Sequence, residues 1–275
     1  MKNKKVLFIT QEMLPFVPES KVMEQSGMSK VSRELPQGIQ ELGGEIRTFM
    51  PRFACINERR HQLHEVIRLS GMNIIIDDTD HPLIIKVASI QAARMQVYFI
   101  DNEDFFNQKV TTKDLEGVEL EDNDMKSVFF ARGVLETIKK LRWTPDIIHC
   151  HGWMTAFVPL LIKKIYSQDV FFENSKIVYT LYNDAFKTPF RPGLANKVMM
   201  DGIDPSDLTL ADDPTYTNVT KMAIESADAV VCGDSTVDEE ALAFAKAEGK
   251  PVLDFPGEED FVGKYDVFYD SLLEE

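Results

Sequence analysis

Basic residues are scarce in this chain. Thirty lysines and arginines stand against 45 aspartates and glutamates, a formal net charge of −15 at pH 7. No basic patch is evident that would displace counterions from phosphate, which excludes nucleic acid and anionic membrane as natural partners. Long apolar runs are also missing, and none approaches the roughly 18 residues of a membrane span. The first such run, Val6-Leu7-Phe8-Ile9, is too short for a secretory signal and no small-residue cleavage site follows, so it reads as a buried strand. Cysteine is sparse and odd in number. Cys55, Cys150 and Cys232 lie far apart, two of them at predicted strand ends, the pattern of reduced buried thiols. There is no repeat, no low-complexity tract and no linker. These absences predict one domain over residues 1–275 and a cytoplasmic location, where the Asn218-Val219-Thr220 glycosylation pattern carries no meaning.

What is present is an alternation of strands and helices, which predicts a mostly parallel sheet with helices on both faces. Residues 5–11 and 46–50 read as strands. Between them Met28, Val31, Leu35, Ile39 and Leu42 mark a helix that Gly43-Gly44 ends. Residues 64–77, 83–90 and 95–100 read as extended, the last two joined by a short polar turn into an antiparallel excursion. A long helix over 122–141 has Val128, Phe129, Leu135 and Ile138 at core-facing spacing. Then come a strand at 146–150, a helix at 153–166, a strand at 176–181 and an irregular stretch at 186–214. Helix 217–226, strand 229–232 and helices 237–248 and 259–273 complete the reading.

Chemistry concentrates where the strand ending His149-Cys150-His151 turns through Gly152-Trp153. In a parallel α/β sheet, ligands bind outside the carboxyl ends of the strands. His149 and His151, with His81 or Asp184 as a third ligand, would suit a metal, but no Cys or His spacing supports one, and hydrogen-bonded structural histidines are the simpler reading. Asp77-Asp78-Thr79-Asp80 imitates a metal-binding D-x-D motif, yet it lies between extended segments and suits a solvated turn. Trp153, Phe157 and Tyr182 are either a sugar-stacking face or core packing. Phe190-Arg191-Pro192-Gly193 is either a cover for the cleft or an ordinary surface loop.

The stretch Asp146-Ile147-Ile148-His149-Cys150-His151-Gly152-Trp153-Met154-Thr155-Ala156-Phe157 resembles the D-V-V-H-A-H-D-W-H-T-A-L signature of bacterial glycogen synthases and plant starch synthases. Further matches follow in order. Val6 to Phe16 resembles K-V-L-F-V-S-S-E-M-x-P-F. Glu34-Leu35-Pro36, Leu42-Gly43-Gly44 and Met50-Pro51-Arg52-Phe53 resemble A-L-P, L-G-H and L-P-R-Y. Thr180-Leu181-Tyr182-Asn183 stands at T-I-H-N, and Lys221 to Ser235 resembles K-A-G-I-x-Y-A-D-x-V-T-T-V-S-P. The similarity covers roughly residues 4–240. It implies one half of a GT-B glycosyltransferase fold, whose second domain holds most of the ADP-glucose and does not occur in this chain.

At three site positions this chain departs from the resembled pattern. The family's phosphate-binding K-T-G-G-L becomes Glu24-Gln25-Ser26-Gly27-Met28, which sets a carboxylate against a diphosphate and leaves Ser26 and Gly27 as a remnant of the loop. An insertion over residues 18–23 would let Lys21 slide into the lysine's place. The aspartate that orients the acceptor sugar is Gly152, and the histidine that bonds the donor glucose is Tyr182. The resemblance implies glucan contacts at His151, Trp153, Tyr182 and Asn183, and a cleft where Gly27, His151, Gly152 and Tyr182 converge. The expectation is a domain of glucan metabolism, catalytically degenerate alone, that binds glucan or maltooligosaccharide or regulates. It has no metal or cofactor, and ADP-glucose or UDP-glucose matters only if a donor domain is supplied. The alternatives are an active glucosyltransferase component completed by a separate donor-binding chain, and a structural module that binds a protein partner or self-associates through its C-terminal face.

Overall fold

A computed structural model describes residues 4–17 and 27–274. Ten strands follow in chain order: β1 (Lys5–Thr10), β2 (Glu45–Pro51), β3 (His64–Glu65), β4 (Met72–Ile76), β5 (Thr79–Ile90), β6 (Met95–Asp101), β7 (Ile147–His151), β8 (Lys176–Leu181), β9 (Ala229–Cys232) and β10 (Val252–Leu253). The helices are α1 (Gly27–Glu41), α2 (Glu58–His61), α3 (Glu103–Phe106), α4 (Asn123–Leu141), α5 (Phe157–Lys164), α6 (Leu194–Val198), α7 (Tyr216–Ser226), α8 (Glu239–Ala247) and α9 (Phe261–Leu273).

The sheet runs β10-β9-β8-β7-β1-β2-β6-β5-β3, with β4 paired to β5. It is parallel from β10 to β6 and antiparallel where β5 meets β6, β3 and β4, so the fold is α/β with an antiparallel excursion. Central strands buried on both faces must be continuously apolar, as Val6-Leu7-Phe8-Ile9 is. Successive side chains point to opposite faces. Leu7, Ile9, Ile148 and Cys150 face α4, α5 and α7, whereas Val6, Phe8, Ile147 and Val178 face α1 and α9. Val128, Phe129, Leu135 and Ile138 of α4 are all buried, as their spacing requires.

The helix α9 seals the second face. Phe261, Tyr265, Tyr269 and Leu272 pack on it, and Lys4 pairs with Asp266 at 2.7 Å and Asp270 at 2.5 Å. The approach of α9 to α1 needs a glycine: a Cβ on Gly38 would lie 2.5 Å from Val262 Cγ1.

The structure revises several expected boundaries. Residues 64–77 form two short strands, because the chain turns between them and reaches φ 87° at Gly71. The helix expected at 153–166 opens as a 3-10 turn over Trp153–Thr155 before α5 begins. Leu42 lies beyond the end of α1 and is 60% exposed, so it is not part of that core stripe. The irregular 186–214 stretch contains α6 and a 3-10 helix over Pro205–Asp212, and β10 extends the parallel edge. Asp77 and Asp78 form an exposed two-residue hairpin turn with φ of 51° and 57°, a conformation aspartate tolerates. Cys150 and Cys232 are buried and Cys55 half-buried, all free. No helix among the described residues is long and apolar enough to cross a membrane.

Candidate functional site

Register places the site. Thr10 of β1 lies opposite His151 of β7, and His151 lies opposite Thr180 of β8. The loops leaving β1, β7, β8 and β9 therefore meet at one edge, where α1 also begins. A Cβ on Gly27 would lie 2.8 Å from Asp234 Oδ1, and Asp234 Oδ2 accepts the Asn183 N–H at 2.8 Å. Met28 reaches the Gly152 turn, and His151 Nδ1 meets the Tyr182 hydroxyl at 2.9 Å. Gly27, His151, Gly152, Tyr182 and Asn183 are thus brought together. Glu24, Ser26 and Lys21 lie outside the described residues.

The histidines belong to a buried network. His149 bonds the Tyr269 hydroxyl at 2.5 Å through Nδ1 and the Thr180 hydroxyl at 2.6 Å through Nε2. A neutral imidazole offers one donor and one acceptor, and each hydroxyl can take the complementary role. Burial holds His149 well below the usual histidine range, helped by the adjacent His151, and lowers His151 to about 3. His151 Nε2 and Gln11 Oε1, both buried, have no hydrogen-bond partner. His81 lies tilted against Phe105 and contacts Asp104 rather than joining this pair, and the described residues contain no group of three or more His, Cys, Asp or Glu side chains arranged to hold a metal ion.

The aromatic side chains turn inward. Trp153 is 3% exposed, set edge-on to Phe186 and Phe190 at 5.3 and 5.6 Å. Phe157 is core, and Tyr182 is 2% exposed beneath Gly233, where a Cβ would lie 2.4 Å from its ring. In this conformation His151, Trp153 and Tyr182 offer no face to a sugar, so of the expected contacts only Asn183 is exposed. An aromatic residue at a strand end can point either way, and here the 186–216 segment covers it. That segment is pinned. Phe190 is buried, and Arg191 and Lys197 both pair with Asp124, itself fully buried at the start of α4.

Gly152 has φ 80° and ψ 165°, a region essentially reserved for glycine. A Cβ there would lie 2.5 Å from Met28 Cε and 3.0 Å from Asp184 Oδ2. Asp184, in sequence only a possible third metal ligand, stands at the centre of these contacts. Its Oδ1 accepts from the Tyr216 hydroxyl at 2.9 Å and its Oδ2 from the Trp153 N–H at 3.4 Å. Desolvation raises its pKa to about 6, opposed by those two hydrogen bonds and by one from its own backbone N–H, and supported by the nearby Glu12. A half-buried carboxylate of that pKa can accept a hydroxyl hydrogen bond at neutral pH and carry a proton just below it. Its signal in the sequence is an acidic residue in the loop after β8, beside the His-Gly-Trp turn. Asp234, in the loop after β9, has no comparable signal in the sequence.

Comparisons with known proteins agree with one another. A family model described as the starch synthase catalytic domain matches residues 5–251. A glycogen synthase of Chlorobium limicola is 38% identical over 183 residues, 66% of this chain and 36% of its own length. One of Chlorobium luteolum is 34% identical over 230 residues, 82% of this chain and 45% of its own length. This chain therefore spans under half of those relatives. In fold it is similar to the catalytic domain of Arabidopsis thaliana starch synthase IV, a structure bound to ADP and acarbose. The TM-score is 0.70 at 20% identity, over 92% of this chain and 51% of that one.

Proposed function

Because the chain belongs to the starch synthase catalytic domain family, we propose that residues 1–275 act as one glucan-binding or regulatory domain that does not transfer glucose by itself. The carrying observation is Gly152. The resembled signature has an aspartate there, and this chain has a glycine whose backbone and neighbours leave no room for one. Two further departures support the reading: Glu24 stands at the lysine of the phosphate loop, and Tyr182 at the T-I-H-N histidine is sealed in the protein. The ligand is a glucan or maltooligosaccharide, and free thiols suit a cytoplasmic setting.

Two measurements test this on the full chain. Titration calorimetry with maltoheptaose and with glycogen is expected to give binding heat, and no heat with either sinks the glucan-binding reading. Incorporation of labelled glucose from ADP-glucose or UDP-glucose into glycogen is expected to stay at the no-enzyme blank. Incorporation above the blank makes the chain an active glucosyltransferase instead.

A further inference from the structure

We infer that Asp184 is the positioning residue that fixes a hydroxyl group of the bound glucan at the Gly152 turn, an assignment that rests on the glucan-binding reading above. The space that a side chain at position 152 would enter is shared by the Met28 methyl and the Asp184 carboxylate, whose Oδ2 lies 3.0 Å from the Cβ position. The carboxyl end of β7 thus presents a carboxylate without owning one; the loop after β8 supplies it.

Three features equip Asp184 for this. First, it is held rather than loose, with one oxygen on the Tyr216 hydroxyl and the other on the Trp153 N–H. Second, it has acceptor capacity to spare. An ionised carboxylate offers about four lone-pair sites, and these two donors together with its own backbone N–H leave a site open for one more. Third, it is only half-buried, at the edge where the loops of four parallel strands meet. The groups facing it select the ligand class. Glu12 faces it from the loop after β1, Tyr179 and Tyr182 from β8 with His151 behind the Tyr182 hydroxyl, Tyr216 from α7, and Asp234 stands beyond Asn183 after β9. The histidine and the tyrosines are neutral, and no lysine or arginine among the described residues forms an ion pair with Asp184. A neutral, hydroxyl-rich ligand that donates hydrogen bonds fits this setting, and a phosphate does not.

The test is maltoheptaose binding by calorimetry at pH 7.5 and pH 5, on the full chain and on Asp184→Asn. If the ionised carboxylate is the acceptor, wild-type binding weakens about tenfold one pH unit below a pKa of about 6, since only the ionised fraction is competent. Asp184→Asn is expected to bind about tenfold or more weakly at pH 7.5 and to lose the pH dependence. Equal affinity and an equal pH profile in wild type and variant overturn the assignment while leaving the glucan-binding reading intact. Absence of wild-type binding at pH 7.5 overturns both. Should Asp184→Asn fail to fold, Tyr216→Phe decides. It removes a hydrogen bond that lowers the carboxyl pKa, so the midpoint of the binding profile must move upward; an unmoved midpoint overturns the assignment.

Discussion

Tyr269 in α9 reaches across the sheet face to His149 in β7, hydroxyl to Nδ1, at 2.5 Å, with both side chains fully buried. It ties the last helix to the strand that leads into the candidate site. Removing the hydroxyl leaves a buried ring nitrogen without a partner, which costs roughly 1–3 kcal/mol. Tyr269→Phe is expected to lower unfolding free energy in urea by that amount. A loss below about 0.5 kcal/mol, under the net worth of an ordinary hydrogen bond, would mean that the contact carries little weight.

The same network dictates how stability responds to acid. His149 and His151 have folded pKa values depressed below the ordinary histidine value of about 6.5, so the unfolded chain takes up protons first as pH falls. Stability is complete above that value and is lost below it, for His151 down to about 3, at up to about 1.4 kcal/mol per pH unit for each histidine. Asp184 has the opposite sign. Its raised pKa returns some stability between about 6 and the ordinary value near 3.9. Urea unfolding at pH 7 and pH 5 is expected to show a less stable protein at pH 5, with a larger drop in Asp184→Asn. A flat profile in both would contradict the neutral histidines.

Phe129 sits under the sheet with no exposed surface. Phe129→Ala is expected to cost about 3–5 kcal/mol, the range for truncating a buried aromatic. Urea unfolding measures this directly, and a cost under about 1 kcal/mol would mean that the site collapses around the smaller side chain.

Rebuilding the resembled motif should fail twice. Gly152→Asp forces a side chain into the reach of Met28 and Asp184 on a backbone L-residues rarely adopt. The strain alone costs about 1–3 kcal/mol. With Glu24→Lys and Tyr182→His added, the variant is expected to be less stable than wild type and still silent with ADP-glucose. Turnover by that variant above a blank would refute the degenerate reading.

Strand and helix periodicity made much of this fold readable. The runs around Phe8 and Ile148 and the spacing of Val128, Leu135 and Ile138 each report a local rule. The split at Gly71 was less visible, because Val66, Ile67 and Leu69 keep the stretch apolar through a turn. The two-residue β10 is too short to leave a period. The site was legible as a place but not as a set of contacts. Asp184 meets Gly152, and Asp234 meets Gly27, only because β1, β7, β8 and β9 align in register. Whether Trp153 and Tyr182 point into a cleft or into the core depends on what covers them, Phe186 and Phe190 over the one and Gly233 over the other, and no local pattern encodes that.

The two tryptophans give the molecule optical access to its own candidate site. Trp143 lies near the opposite end of the sheet, bonded to Glu45 at 2.7 Å with the Arg47 guanidinium 5.2 Å from its ring, and Trp153 lies in the turn whose N–H meets Asp184. With Trp143 replaced by Phe, a single tryptophan remains, set against Phe186 and Phe190, and its backbone N–H meets the carboxylate. Excited selectively above the tyrosine band, it offers an unlabelled probe at the turn where that carboxylate is held.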